Sequence, residues 1–186
     1  MKKNYLKYGI LSFFISLNIY SQTTKNTSKD SLKEKSTTLY RQNFWTNLPK
    51  LIKWTNDFEG LYTKDEQEKL NAILSKFELE TKNEICIITI DTTRTSKEKF
   101  DELSLHIANT WEVGKKDLDN GILIAISKGY RKIRIQNGKG IEKIITYDET
   151  KNIIDNYFIP DFKKGNYYDG TLKGVTELIE FLKSKM

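Results

Sequence analysis

The sequence predicts an α/β protein, a three-layer α/β/α sandwich around a short mixed sheet. Three observations lead there. Residues 85–90 and 122–126 are continuous apolar runs, as expected of strands covered on both faces. Two amphipathic stripes flank the first run: Leu70, Ile73, Leu74 and Phe77 lie on one helical face, and Phe100, Leu103, Ile107 and Trp111 on another. Residues 132–135, Lys-Ile-Arg-Ile, alternate like a strand with one solvated side. Helices between strands must lie on the faces of the sheet, which gives three layers.

Each element has its own signal, beginning with an address. Lys2, Lys3 and Lys7 make a positive start, residues 10–17 are apolar apart from two serines, and Ser21 precedes a plausible cut at Gln22. Residues 1–21 therefore read as an export signal, which implies a periplasmic or secreted protein. The apolar run falls short of the ~20 residues that a membrane span requires, and an uncleaved anchor is the second reading. Residues 22–38 are rich in Ser, Thr, Lys and Asn, with Leu32 the only large apolar residue, and predict a flexible tether. Residues 39–53 change character, with Tyr40, Phe44, Trp45, Leu48 and Leu51 beside Arg41, Lys50 and Lys53. This lead-in either packs across the domain or forms an interfacial patch, through which residues 39–54 would touch a membrane surface.

The domain itself occupies residues 54–184. Thr63 and Glu66 form a capping box at a helix start, and Ser96 is placed to cap the next helix. Residues 127–130 turn the chain between two strands. Two further helical patterns, 148–158 and about 168–181, are separated by Pro160, which has no N–H to continue a helix. About 130 residues bury roughly two-thirds of their surface, enough for one core.

Composition excludes several chemistries. Of 186 residues, 31 are basic and 25 acidic, a formal charge of +6; losing the leader's three lysines lowers it to +3. That excess is not clustered as nucleic-acid binding requires. One histidine and one cysteine cannot furnish a zinc ligand set. Cys86 sits inside a strand pattern and reads as core packing. His106 reads as a helix-flank residue. Neither is surrounded by a phosphatase motif, and the turn Gly138-Lys139-Gly140 lacks the spacing of a phosphate-cradling loop.

Two loops leave the same small sheet and carry oxygen-bearing side chains: Asp119 and Asn120 before one strand, Glu142 after the next, with Asp148 at a helix start nearby. Such a set suits calcium, which takes 6–8 oxygen ligands, or another divalent cation. Residues 117–121 are not an EF-hand, because the glycine is one place early and Lys128 stands where the closing glutamate belongs. The structural alternatives are equally concrete: a local turn for Asp119 or Asn120, a helix cap for Asp148, and a cap for the following irregular segment at Asp57.

The ordered set Trp111, Gly114, Asp119-Asn120-Gly121, Gly138-x-Gly140-x-Glu142 and Asp148 resembles the TPM domain, a group of bacterial envelope and thylakoid proteins often labelled phosphatases. Asn56-Asp57-Phe58-Glu59-Gly60-Leu61 resembles its entry motif. Ile159-Pro160-Asp161-Phe162 with Gly165-Asn166-Tyr167 resembles its closing one. The resemblance covers about residues 54–184. It implies that Asp57 joins Asp119, Asn120, Glu142 and Asp148 around one calcium, with Gly121, Gly138 and Gly140 admitting backbone to the ion. It also implies one of two functions. The first is a metal-ordered binding or assembly module for an envelope or membrane protein. The second is metal-assisted phosphate-monoester hydrolysis, with Arg131 or Arg134 supplying positive charge and no catalytic residue assigned.

Overall fold

The computed structural model describes residues 11–115 and 117–186, with side-chain surroundings from residue 29 onward. The positive start of the leader lies outside the described residues. Helix α1, Leu11–Thr46, runs through the segment expected to be a flexible tether. The expectation rested on burial, and residues 29–36 are indeed exposed. Helix needs no burial for its hydrogen bonds, however, and Gln22, Glu34 and the four lysines of this segment are good helix formers. Among the described residues no helix is long and apolar enough to cross a membrane.

Contacts divide the chain into two units, Met1–Asn43 and Phe44–Met186. The second unit holds a four-stranded sheet in the order β1 (Thr55–Asp57), β2 (Glu84–Thr89), β3 (Gly121–Ser127), β4 (Lys132–Asn137). The first three strands are parallel and β4 is antiparallel to β3, the expected mixed sheet. Strand β1 has no apolar signal of its own. It exists because Ile87 donates its N–H to the Trp54 carbonyl (2.6 Å) and the Asn71 side chain accepts from Thr55 N–H (2.8 Å).

Alternation along β2 and β3 makes two cores. Ile85, Ile87, Ile122 and Ile124 face α2 (Lys64–Thr81), α4 (Tyr147–Ile153) and α6 (Tyr167–Lys185). Cys86, Ile88, Leu123 and Ala125 face α3 (Phe100–Thr110). The Cys86 thiol is fully buried and belongs to the core. The second core also takes Phe44, Trp45, Leu48 and Leu51, so the lead-in packs across the domain. Trp45 stacks on His106 at 4.4 Å, and the His106 Nε2 meets the Trp45 carbonyl (3.0 Å), which fixes His106 as a helix-flank residue. Of the lead-in's apolar residues, Leu39, Tyr40 and Ile52 are left exposed.

Two local expectations are corrected. Pro160 does not separate two helices. The helix continues from α4 through a π turn, Ile154–Phe158, into α5 (Ile159–Phe162), and the Ile159 N–H reaches back to Ile154 O. The wider π turn accommodates the missing proline N–H. The helix stops later, at Gly165, whose φ of +86° favours glycine. Ser96 accepts from Lys99 N–H (3.4 Å) and so caps the turn leading into α3 rather than the helix itself.

Candidate functional site

The two glycine-bearing loops meet at the amino edge of the sheet, where the parallel strands begin. Gly138 donates its N–H to Gly121 O (2.8 Å) and Gly140 to Asp119 O (3.0 Å). The glycines are required by backbone packing. A Cβ on Gly121 would stand 1.8 Å from Val113 O, on Gly138 2.1 Å from Asp119 O, and on Gly140 2.2 Å from Leu118 O. The absent side chains admit a neighbouring loop.

Asn120 is buried and both ends of its amide are engaged: Oδ1 accepts from Lys115 N–H (2.7 Å) and Nδ2 donates to Lys82 O (2.5 Å). It ties the start of β3 to the end of α2. Asp119 has a φ of +46° and an exposed side chain. Glu142 lies on a short 3₁₀ turn, Ile141–Lys143, and is exposed. Asp148 is in the first turn of α4 and exposed; Thr146, not Asp148, is the N-cap.

Asp57 lies at the other end of the sheet. It pairs with Thr89, the last residue of β2, whereas Gly121 pairs with Glu84, the first. Five strand rises separate those positions, about 17 Å. The Asp57 carboxylate accepts from Leu61 N–H (3.0 Å), Tyr62 N–H (2.8 Å) and the Thr89 hydroxyl (2.5 Å). It caps the turn at Gly60, the structural role weighed for it in the sequence. Asp57→Asn replaces one acceptor oxygen with a donor facing a donor. The expected loss is about 1–2 kcal/mol, read as a lower urea midpoint with an unchanged slope.

The predicted donors therefore do not surround one cavity. Asp119, Asn120 and Glu142 share the amino edge, Asp148 begins the helix beyond it, and Asp57 stands across the sheet. Among the described residues no three acidic, histidine or cysteine side chains are grouped so as to hold a metal. The five do not fit a preformed calcium shell, because Asp57 and Asn120 already use their oxygens as struts. Arg131 is equally displaced, lying in the β3–β4 turn at the carboxyl edge. By alternation Arg134 shares the face on which Lys132 meets Asp101 (3.1 Å) and Gln136 meets Ser104 (2.7 Å).

The carboxyl edge holds residues that the motif search passed over. The Glu59 carboxylate accepts from Lys128 N–H (2.7 Å) and Gly129 N–H (2.9 Å). Burial pushes its pKa above the usual carboxylate value, against the pull of those two amides. Beside this turn a cavity of about 680 Å³ opens between the β3–β4 turn and the α5–α6 junction. The general tendency of open α/β sheets to bind ligands at the carboxyl ends of their strands was the signal available in the sequence.

A model of the TPM domain matches residues 55–181. The chain belongs to the TPM domain family. Three solved structures share the fold. The N-terminal domain of a protein from P. gingivalis is 25% identical over 71% of this chain and 83% of its own, with a TM-score of 0.65. The BA42 protein of Bizionia argentinensis is 21% identical over 69% of this chain and 86% of its own, at 0.60. The N-terminal domain of the cg2496 protein of Corynebacterium glutamicum is 12% identical over 74% and 84%, at 0.53, a likeness of fold alone. No curated protein matches the chain. In this TPM domain the entry motif is a turn held by the Asp57 strut, and the glycine motifs build the interlocked amino edge.

Proposed function

We propose that this TPM-domain protein is an exported binding or assembly module for an envelope or membrane protein, and not a hydrolase. One observation carries the reading: the motif residues act on backbone. Asp57 and Asn120 are struts, and Gly121, Gly138 and Gly140 lock loops together. A rigid loop edge is what a recognition surface needs, because ordering it beforehand removes that cost from binding. Hydrolysis needs a nucleophile or base beside a cation, and Arg131 lies at the opposite edge from Asp119 and Glu142. Export is supported by the leader pattern of residues 1–21.

Calcium enters this proposal only as an ordering ion drawn to the exposed carboxylates of Asp119, Glu142 and Asp148, at ~10⁻⁴–10⁻³ M. The test is one sample with two readouts. Calcium titration followed by amide NMR is expected to shift residues 117–121 and 138–148 and to leave 57–62 unmoved. p-Nitrophenyl phosphate, with calcium or magnesium, is expected to turn over no faster than the blank. Metal-dependent turnover that Asp119→Ala abolishes without unfolding would instead establish the phosphatase-like alternative.

A further inference from the structure

The cavity at the carboxyl edge is lined by cations and rings. Lys128 and Arg131 come from the β3–β4 turn, Lys163 from the end of α5, and Phe162 and Tyr167 from either side of the α5–α6 junction. No carboxylate lines it. The fourth cation, Lys132, is committed elsewhere, with its ammonium 3.1 Å from Asp101 and bonded to Lys97 O (3.3 Å). Among the described residues Lys128, Arg131 and Lys163 make no ion pair, and these three exposed cations border the same hollow.

Two further features suit a ligand. Tyr167 stacks on Phe162 at 4.7 Å and 29°, and the Lys128 ammonium lies 5.8 Å from the Tyr167 centroid. The two rings thus lie half-buried beside the Lys128 charge. Arg131 holds a φ of +50°, a conformation that favours glycine or asparagine. That conformation closes the β3–β4 turn, with Arg131 N–H donating to Lys128 O (3.1 Å). Glu59 satisfies the turn's amides at Lys128 and Gly129, and its carboxylate offsets part of the positive charge beside Lys128.

We propose that this cavity binds a ring-bearing organic dianion, its charged groups on Lys128, Arg131 and Lys163 and its ring against the Tyr167–Phe162 stack. The volume suits a small molecule, within the range of about 300–1,000 Å³ common to ligand pockets. The Arg131 fork takes paired oxygens of a carboxylate or a phosphate alike, so the chemistry is shared by both anion types. The site lies at the far end of the sheet from Asp119 and Glu142 and is independent of any calcium response there.

The full chain is titrated with phthalate, phenyl phosphate, benzoate and inorganic phosphate, and amide shifts are followed at Gly129, Arg131, Gly165 and Tyr167. Both ring dianions are expected to saturate these shifts and to bind about tenfold tighter than either benzoate or inorganic phosphate. The pair Arg131→Gln and Lys163→Gln is expected to weaken phthalate by about tenfold or more, with the rest of the spectrum unchanged. Tyr167→Leu should remove the preference for the ring and leave inorganic phosphate binding as it was. Shifts that never saturate, equal affinity for inorganic phosphate and phthalate, or glutamine variants that bind as tightly as the parent would each overturn the assignment. Phthalate has no ester to cleave. Turnover of phenyl phosphate therefore counts against the non-catalytic reading alone, and loss of phthalate binding counts against the cavity alone.

Discussion

Gly121→Ala is expected to cost about 3 kcal/mol of folding stability, the upper end of what overpacking does. The new Cβ would lie 1.8 Å from Val113 O, 2.3 Å from its carbonyl carbon and 2.8 Å from Gly114 N. All three are backbone atoms, and the loop that carries them is pinned: Gly114 N–H donates to the Glu84 carboxylate (2.8 Å) and Val113 N–H to Ala108 O (3.1 Å). Gly121 cannot retreat either, since it pairs with Glu84 on one side and accepts from Gly138 on the other. For a domain of this size the loss corresponds to a drop in Tm of roughly 6–12 °C. Gly60→Ala is the control. It carries a positive φ, +69°, which Gly121 does not, but its Cβ would meet nothing within 4 Å, so about 1 kcal/mol is expected. Similar losses for the two variants in thermal or urea unfolding would refute the interlocked-loop account.

Phe158 and Gly174 make the second large effect. Phe158 is fully buried at the end of the π turn, and its ring lies against α6 where Gly174 has no side chain. Phe158→Ala should cost about 3–5 kcal/mol, the range for deleting a core phenylalanine. Gly174→Ala alone should also destabilise, because its Cβ would fall 2.1 Å from the Phe158 ring. In the Phe158→Ala background that clash is gone and only the better helix propensity of alanine remains. There the same Gly174→Ala change is expected to stabilise by about 1 kcal/mol. The sign reversal is the diagnostic outcome, with a coupling of about 1–3 kcal/mol between the two sites. Additive losses would mean that Phe158 and Gly174 do not share this contact.

The fold was legible in the sequence to the extent that its signals are local and periodic. The two buried strands, the alternating β4, and the stripes of α2, α3 and α6 all announce themselves through burial. The Thr63–Glu66 capping box forms as read. What escaped has weaker local signals. Strand β1 is held by its neighbour and not by its three residues, Thr-Asn-Asp. The π turn before Pro160 depends on packing against α6, which no periodicity reveals. The candidate donors lie apart for a topological reason. An acid in a loop has the same one-dimensional appearance as ligand or strut. Whether Asp57 can meet Asp119 depends on which end of a parallel pair each occupies. Because β1 and β2 run in the same direction, the entry motif emerges at the end opposite to the loop before β3. The cationic hollow was missed because Lys163 is remote in sequence from Lys128 and Arg131, and two cations in one turn do not look like a site.

The placement of the two loop systems at opposite poles of the β-sheet separates foldability from specificity. At one pole a single added methyl collides with main chain, so drift there is filtered by whether the polypeptide folds at all. At the other, Lys128, Arg131 and Lys163 are exposed side chains whose exchange alters charge without displacing backbone. Paralogues built on this scaffold can therefore diverge in what they recognise while inheriting the same framework.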